Sequence, residues 1–567
     1  MQPSSDELEP PRGSPLRRYG PVVGVLVVIA LIAAVAVVSS GGGDDEGDDD
    51  DTATGTTTAT PDDGELPEGV VTWSMAQEQD LDVEFPDTCD TDEGKVAIPF
   101  FYRTECVANA DDNGGATSDG VTGDEITVAV WLPNDSDPIF QIIREGLGFD
   151  DTVDEIRETY EGLVEIFQSY YQTYGRTVHL EFVEASGNSL DTVAARADAA
   201  GAIDLQPFAA LGGPLLANTW TEELHANEVV CLFCPGTNDP EPTSFGLVPS
   251  IYQTRRHVVN YVSTKLAGKP AEFAGDDDLT SEERVFGYLR MGISDSDENN
   301  AQKMTDAMED AGVDIAETVV YPLDPVGIQE HATSAITKMK QAGVTTVLVE
   351  ADPITLPAMT AEATKQDWFP EWVLSGFPFT DTSAFGRQMD QEQWAHAFGI
   401  SYLPPASRPE LSPAYQLYEW YFGEPPPADE SLLLTYPSVV LLFTGLEFAG
   451  PNLTPETFQQ ALFAYPPTPR AVTQPSVDYG TEVWGRDDYG GIDDFVEVWW
   501  NPDAEGEDET GNTAKGLYEY VDGGKRYYAD EYTDELKVFD PDGAVTEITD
   551  TPEAEIPPDY PPPDGGR

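Results

Sequence analysis

Basic residues are scarce in this sequence. Its 567 residues include 28 Lys and Arg against 105 Asp and Glu, which gives a formal net charge of -77. A surface of this sign repels phosphate backbones and anionic membrane surfaces, so the composition disfavours both as partners, and we predict no nucleic-acid partner. It does not exclude a small-molecule ligand, because a pocket sets its own local field.

Histidine and the local motifs of catalysis are also scarce. The five His residues are scattered, at positions 179, 225, 257, 331 and 396. The sequence contains no HExxH zinc motif, no GxSxG nucleophile elbow and no phosphate-binding GxxxxGK[ST] loop. We therefore predict no catalytic residue, no metal and no cofactor, and an exported enzyme with a spatially assembled site is kept as an alternative.

Cysteine is limited to four residues. Cys89 and Cys106 bracket a short segment, whereas Cys231 and Cys234 form the sequence CLFC. An even number of cysteines outside the cell predicts disulfides, here Cys89–Cys106 and Cys231–Cys234. The alternative for Cys231 and Cys234 is a redox motif or half of a zinc site, but no second CxxC or HxxxH follows to complete a zinc site.

One long apolar run is present, close to the N-terminus. Residues 22–38 (VVGVLVVIALIAAVAVV) carry no charge and would span about 26 Å as a helix. Arginines precede the run and acids follow it, so we predict a cytoplasmic segment at 1–20 and a transmembrane signal anchor at 21–40. This places a single-pass protein in the cell membrane with its body outside. Cleavage near Ala34-Val35-Ala36 is the alternative, and it would release a secreted body.

Two flanks of the chain have the composition of solvated segments. Residues 41–68 hold eleven acids and no base among Gly and Thr, and we predict an acidic disordered linker at 41–69. Residues 531–567 end in EIPPDYPPPDGGR and are predicted to be an acidic, Pro-rich tail. Residues 70–121 contain the first Cys pair and form an N-terminal extension whose role the sequence does not indicate.

From residue 122 onward, strand-like and helix-like patterns alternate. EITVAVWLP at 125–133 opens one series, and RVFGYLRMGIS at 284–294 opens a second. Strand centres recur at the spacing of βαβ units, which predicts an α/β protein with two open parallel sheets, each flanked by helices.

Two acids stand where a strand of the second series ends, in VTTVLVEADPITLPAMTAEA at 344–363. Asp352-Pro353 is typical of a helix start, with Asp as N-cap and Pro in the first helical position. Glu350 is not needed for that cap. A carboxylate at this place could instead bind the ammonium group of a ligand, and the sequence leaves both interpretations open.

The segments EADPITLPAMTAEATKQDWFPEWVLSG, YPSVVLLFTGLEFAG and LTPETFQQAL carry a resemblance. With the two βαβ series, they make the chain similar to solute-binding proteins of ABC transporters, of the leucine/isoleucine/valine-binding (type I periplasmic binding protein) family. The resemblance implies a two-lobed clamp with three crossings between lobes. Lobe 1 would comprise 122–250 and 380–465, and lobe 2 would comprise 251–379 and 466–530.

The resemblance also implies where a ligand binds. Lobe 1 would offer backbone N–H groups and a hydroxyl, and lobe 2 would offer the loops at its strand ends. The ligand-binding residues expected on this basis are Gly212, Gly213, Leu215, Thr237, Ser294, Asp295, Glu350, Asp352 and Thr355. The implied function is capture of a small polar ligand, of the amino acid or amide class, and its delivery to ABC permease and ATPase subunits. A ligand-sensing receptor domain of the same fold, acting through a partner, is the alternative.

Overall fold

The structure is a computed structural model that describes residues 65–563, apart from a set of short gaps. The gaps are 101, 138–139, 142–143, 145–149, 190, 215–216, 235–242, 293–295, 323, 325, 378 and 510. The predicted membrane anchor at 21–40 and the linker up to residue 64 lie outside the described residues. Among the helices that are described, none is long and apolar enough to cross a membrane.

The N-terminal extension packs on the first lobe. It contains helix α1 (Trp73–Gln79) and a small antiparallel pair, β1 (Cys89–Asp90) and β2 (Lys95–Val96). The Cys89–Cys106 disulfide closes this segment, as predicted. Apolar side chains such as Ile98 and Val107 are buried in the same core as the first sheet. The extension therefore enlarges the first lobe instead of forming a separate unit.

The first lobe is built on a five-stranded parallel sheet with the strand order β4-β3-β5-β6-β7. Its elements are β3 (Glu125–Leu132), α2 (Val153–Tyr170), β4 (Thr177–Glu184), α3 (Thr192–Asp204), β5 (Ala209–Leu211), α4 (Thr219–Ala226), β6 (Val230–Leu232) and β7 (Ser244–Phe245). The predicted Cys231–Cys234 disulfide lies at the end of β6.

Helix α2 shows how the sequence determines where a helix of the first lobe begins and which of its faces is buried. It begins with a capping box in which Thr152 and Glu155 bond each other's backbone N–H groups. Residues spaced by three and four positions, including Ile156, Leu163 and Phe167, are buried in the core. The amphipathic spacing read from the sequence therefore fixes which face of the helix covers the sheet.

The second lobe holds a larger sheet of eight strands. Its first elements are α5 (Ile251–Tyr261), β8 (Phe286–Gly292), α6 (Ser296–Asp310), β9 (Ile315–Pro322), α7 (Ile328–Gln341), β10 (Thr346–Glu350), α8 (Leu356–Lys365), β11 (Glu371–Ser375), α9 (Ser383–Gly386), α10 (Gln391–Trp394) and β12 (Ala397–Ser401). Strands β8 to β12 are parallel in the order β12-β11-β10-β8-β9.

After β12 the chain returns to the first lobe and then to the second. A short strand β13 (Ala406–Ser407) precedes three helices, α11 (Pro413–Phe422), α12 (Leu432–Ala449) and α13 (Pro455–Ala464), whose apolar faces join the core of the first lobe. Strands β14 (Phe495–Glu507), β15 (Thr513–Tyr520) and β16 (Arg526–Tyr527) return to the second sheet, where β14 runs antiparallel to β12. The chain thus crosses between the lobes three times, and the predicted fold class, a two-lobed α/β clamp, is confirmed.

The second crossing lies later than predicted. The resemblance implied that residues 380–465 belong to the first lobe, but β12 pairs in parallel with β11, for example Val373 with Phe398. The second sheet therefore keeps the chain up to Ser401. The error arose because strand pairing across a long connection leaves no local pattern in the sequence.

The prediction of a solvated tail at 531–567 is wrong for the described part of the tail. Tyr532 and Val538 are buried in the core of the second lobe, and Phe539 contacts the rings of Phe273 and Trp499. Further on, strand β17 (Glu547–Ile548) pairs with β13. Isolated apolar residues within an acidic, Pro-rich composition gave no periodic signal, yet Tyr532, Val538 and Phe539 all pack against the second lobe.

The end of the tail is fixed on the first lobe. Tyr560 donates its hydroxyl proton to Asp90 at 2.6 Å, and its carbonyl oxygen accepts a hydrogen bond of 2.9 Å from the Trp420 indole. Between the lobes, the buried Glu555 accepts hydrogen bonds from the backbone N–H groups of Val472 and Thr473. The tail therefore runs from one lobe across the third crossing to the other.

We predict that Glu555→Ala lowers the free energy of unfolding by about 1–3 kcal/mol, because two part-buried N–H groups lose their acceptor. The measurement is urea unfolding of the full-length protein. Glu553→Ala is the matched control, since Glu553 lies in the same turn but is exposed and makes no hydrogen bond among the described residues. Equal stability of the two variants would show that the Glu555 contacts do not hold the tail.

Candidate functional site

The C-terminal edges of both sheets face the junction between the lobes. The first crossing leaves the first sheet at the C-terminal end of β7, and the second leaves the second sheet at the C-terminal end of β12. In a parallel sheet all strands end at one edge, so the ends of β3, β5 and β6 lie on the side of the crossings, as do those of β8, β10 and β11. This junction is the candidate functional site.

On the first lobe, the glycine loop after β5 is bonded to its own lobe. Gly212 has φ +69°, a left-handed conformation that favours glycine. Its N–H donates to the Leu232 carbonyl at 2.9 Å, and its carbonyl accepts from the Trp220 indole N–H at 3.0 Å. The Gly212 N–H is therefore already engaged within the first lobe, and a ligand-binding role for Gly212 stays a prediction. The N–H of Gly213 is next to it at the same edge.

Four of the predicted ligand-binding residues are outside the described residues. Leu215 and Thr237 belong to gaps in the first lobe, and Ser294 and Asp295 belong to a gap after β8. Their roles remain predictions. Glu350, Asp352 and Thr355 are described, and all three are buried at the end of β10.

Asp352 caps a turn ahead of α8. Its Oδ1 accepts hydrogen bonds from the N–H groups of Ile354 at 2.9 Å and Thr355 at 2.8 Å. Its Oδ2 accepts a hydrogen bond of 2.6 Å from the hydroxyl of Tyr321 on β9. The helix itself starts at Leu356 with Thr355 in the N-cap position, so the predicted start at Asp352-Pro353 was too early. The capping interpretation of Asp352 is otherwise supported by these bonds.

We predict that Asp352→Ala lowers the free energy of unfolding by about 1–2 kcal/mol, because two turn N–H groups and the Tyr321 hydroxyl lose an acceptor. Asp352→Asn should cost only a few tenths of that energy, since the amide oxygen can still cap the turn. Chemical denaturation of the three proteins measures both values. An Asn variant as unstable as the Ala variant would mean that the negative charge, and not the cap, holds this segment.

Glu350 is paired within its own lobe. It forms an ion pair with Arg290, its register neighbour on β8, and accepts a hydrogen bond of 2.5 Å from the Tyr288 hydroxyl. Burial raises the pKa of Tyr288, so this phenol stays protonated and available as a donor. The charge of Glu350 is therefore compensated inside the protein, which weakens the interpretation of Glu350 as a receptor for a ligand ammonium.

Thr355 has an unused hydroxyl. The residue is 1% exposed, and its Oγ1 has no hydrogen-bond partner among the described residues. A buried hydroxyl without a partner costs free energy, and a polar ligand atom at the junction would restore the missing bond.

A cluster of aromatic and basic side chains at the junction was missed by the sequence analysis. Tyr252 and Arg255 lie on α5, directly after the first crossing, and Trp484 and Arg486 lie in the third crossing. Burial lowers the pKa of the half-buried Arg255, while the nearby Glu350 favours its charged form. The pair Arg255-Arg256, in a chain so poor in bases, was the signal that could have found this cluster.

A buried polar network fixes α5 to the third crossing. The side-chain amide of Gln253 donates to Asp488 Oδ2 at 2.7 Å, to the Gly490 carbonyl at 3.1 Å and to Asp493 Oδ1 at 3.0 Å. Burial raises the pKa of Asp488 to about 7 and raises that of Asp493 well above its usual range. A raised pKa favours the protonated, uncharged form of each carboxyl, which allows two carboxyl groups to share one amide in the protein interior.

Among the described residues, one group of acids has the spacing of metal ligands. Asp150, Asp151 and Glu430 lie at the starts of α2 and α12, away from the junction. Asp151 Oδ2 accepts from the N–H of Ser431 at 2.7 Å, and Glu430 accepts from the N–H of Asp150 at 2.6 Å. Acids at helix N-termini are stabilised by the unpaired N–H groups there, so these contacts account for the group without an ion.

Neither a protein-family model nor a curated protein sequence matches this chain. Similar solved structures are ABC transporter substrate-binding proteins. They include a fatty acid ABC transporter substrate-binding protein from Thermomonospora curvata, with 14% identity, coverage of 75% of this chain and 99% of that chain, and a TM-score of 0.46. A substrate-binding protein from Aeropyrum pernix has 12% identity, coverage of 72% and 97%, and a TM-score of 0.47.

A third similar structure is the branched-chain amino acid transporter substrate-binding protein LivJ from Streptococcus pneumoniae in complex with isoleucine. It has 14% identity, coverage of 70% of this chain and 99% of that chain, and a TM-score of 0.43. These values describe a likeness of architecture and do not assign the chain to one family or identify its ligand.

Proposed function

We propose that this chain is an extracytoplasmic solute-binding protein that captures a small polar ligand between its two lobes and delivers it to an ABC importer. The observation that carries the proposal is the arrangement of two parallel sheets whose C-terminal edges face one junction, with three chain crossings as a hinge. Open α/β sheets bind ligands at this edge. A ligand that contacts both lobes favours the closed form of such a clamp.

Three further features support the proposal. The two disulfides suit an oxidising compartment outside the cytoplasm. The unused hydroxyl of Thr355 provides a polar group at the junction. The apolar run at 21–40 would anchor the body at the membrane beside its importer, and the acidic linker would let the body reach it.

The experiment begins with native mass spectrometry of the purified full-length protein, to detect a co-purified small molecule. The identified molecule is then added back, and small-angle scattering should show a smaller radius of gyration as the lobes close. If no co-purified or added solute changes the radius of gyration or the melting temperature, the proposal is wrong.

A ligand-sensing receptor domain would also close on its ligand, so a second measurement separates the two functions. Cells that lack this chain should lose uptake of the labelled ligand if the chain serves an importer. Unchanged uptake together with a lost cellular response would favour the receptor.

A further inference from the structure

The aromatic-basic cluster at the junction has a defined geometry. The Arg486 guanidinium carbon lies 4.6 Å from the centre of the Tyr252 ring, and that of Arg255 lies 5.9 Å from the same centre. The Trp484 ring is 6.1 Å from the Tyr252 ring. Two positive charges from different segments of the chain therefore meet at one aromatic side chain.

The two segments that carry these charges are held rigidly. Trp484 donates its indole N–H to Asp493 Oδ1 at 2.7 Å, and the Gln253 amide bonds the same oxygen from α5 at 3.0 Å. The stacked rings of His257 and Phe495, with centroids 4.0 Å apart, pack beside this network. Trp484 and Gln253, each two residues from an arginine of the cluster, are thus held by buried neighbours, while the Arg486 side chain itself is exposed to solvent.

The guanidinium groups of Arg255 and Arg486 form no hydrogen bond or ion pair with the described residues. In a chain with 105 acids, most described arginines contact a carboxylate or a backbone carbonyl. Within the described residues, Arg255, Arg256, Arg408 and Arg486 are the arginines that have neither an ion pair nor a hydrogen bond, and two of these four flank Tyr252. Arg255 is half-buried, so its guanidinium has lost water without gaining an acceptor.

Three buried acids close to the cluster already have partners. Glu350, which lies within electrostatic range of Arg255, is already paired with Arg290 and Tyr288. Asp488 and Asp493 share the Gln253 amide, and burial raises the pKa of both, which reduces their negative charge. Arg255 and Arg486 thus bring two positive charges to this part of the junction, in a chain whose formal net charge is -77.

We propose that Arg255 and Arg486 bind an oxyanion group, a carboxylate or a phosphate, of the solute captured at the junction. Guanidinium groups suit this role because their N–H donors match the geometry of both groups. Tyr252 orients the two guanidiniums by stacking. The inference rests on the proposed function, and it assigns the ligand to the class of small anions.

The test uses probes in charged and neutral pairs. Benzoate and benzamide, succinate and succinamide, and inorganic phosphate are each titrated into the full-length protein, and the melting temperature and apparent Kd are measured. At least one oxyanion should stabilise the protein while its neutral amide does not. Binding of phosphate without binding of the carboxylates would identify phosphate as the recognised group.

Single substitutions test whether Arg255 and Arg486 bind the anion. Arg255→Gln and Arg486→Gln should each weaken binding of the stabilising anion by about tenfold to a hundredfold, the usual effect of losing a charge-assisted hydrogen bond. Arg256→Gln is the matched control, because Arg256 is the exposed neighbour that does not contact Tyr252. Arg255→Lys should bind the anion better than Arg255→Gln does, because lysine keeps the positive charge although it lacks the planar, two-pronged donor group of arginine.

Three results would overturn the inference: stabilisation by an amide as strong as that by its acid, an equal loss in Arg256→Gln, or no response to any anion at millimolar concentration. The failure of the proposed function is distinguishable. A neutral or cationic molecule that co-purifies and contracts the protein in scattering would leave the solute-binding function in place and reject only the anionic class.

Discussion

The melting temperature should rise when the pH is lowered from 8 to 5, the reverse of the acid sensitivity that most proteins show. Burial raises the pKa of Asp381 to about 7 and that of Glu447 to about 8, and it raises the pKa of Asp478 to about 7 as well. In the unfolded chain these carboxyls titrate near pH 4. Between pH 4 and pH 8 the folded state therefore holds protons that the unfolded state releases, and each rise in pH favours unfolding.

The magnitudes decide the sign of the net effect. A tenfold change in proton affinity corresponds to about 1.4 kcal/mol, so each of these carboxyls contributes on the order of a few kcal/mol over this range. The buried His257, whose pKa is lowered to about 3 by burial, opposes the trend below pH 6.5 by roughly 2 kcal/mol at pH 5. Burial also lowers the pKa of His396, so two imidazoles oppose the trend. The three acids outweigh them, and the relief of repulsion in a chain of net charge -77 acts in the same direction as the acids.

A pair of variants attributes the pH dependence to particular groups. Asp381→Asn removes a titrating group while an acceptor for the Ser401 hydroxyl is kept, so the slope of melting temperature against pH should decrease. Asp503→Asn is the control, because it changes a carboxylate that is 88% exposed. Its slope of melting temperature against pH should equal that of the unsubstituted protein. A melting temperature that is flat or falls between pH 8 and pH 5 would contradict the prediction.

Arg284→Met should destabilise the second lobe by about 3–5 kcal/mol, because it leaves a buried carboxylate without its counter-charge. Both side chains of the Arg284–Glu371 pair are 0% exposed, and the pair has two parallel hydrogen bonds of 2.7 and 2.8 Å. Glu371 also accepts from the Thr346 hydroxyl at 2.7 Å and from the Phe273 N–H at 3.1 Å. The pair thus ties the segment before β8 to the start of β11.

Denaturant unfolding of the full-length protein measures this effect against a matched exposed pair. Lys365→Met breaks the ion pair with Glu362, in which the Lys365 side chain is 71% exposed, and it should cost less than about 1 kcal/mol. The double variant Arg284→Met with Glu371→Met should recover part of the loss, since it removes both buried charges. A loss for Arg284→Met no larger than that for Lys365→Met would show that solvent reaches the pair.

Residues close together in the chain were predicted well. Both disulfides were predicted from cysteines that lie close together in the sequence, and the structure contains both. The alternation of strand and helix patterns was enough to predict two parallel sheets, because a helix between two strands brings the second strand back parallel to the first. Capping by Asp352 was one of the two interpretations that its neighbours suggested, and its hydrogen bonds to Ile354 and Thr355 support it, although the helix starts later than expected.

Contacts between distant residues were decided by the tertiary structure. Glu350 pairs with Arg290 because β8 and β10 are adjacent in register, and no spacing along the sequence indicates that adjacency. The tail packs through single residues such as Phe539, whose partners come from three different segments.

Arg255 and Arg486 meet at Tyr252 only because the first and third crossings are brought together by the Gln253 network. The sequence by itself determined the class of fold and the covalent links, since local periodicity and chain direction set them. The chemistry of the junction was set by the folding of the crossings against one another, which places charges more than 200 residues apart in the chain within one electrostatic neighbourhood.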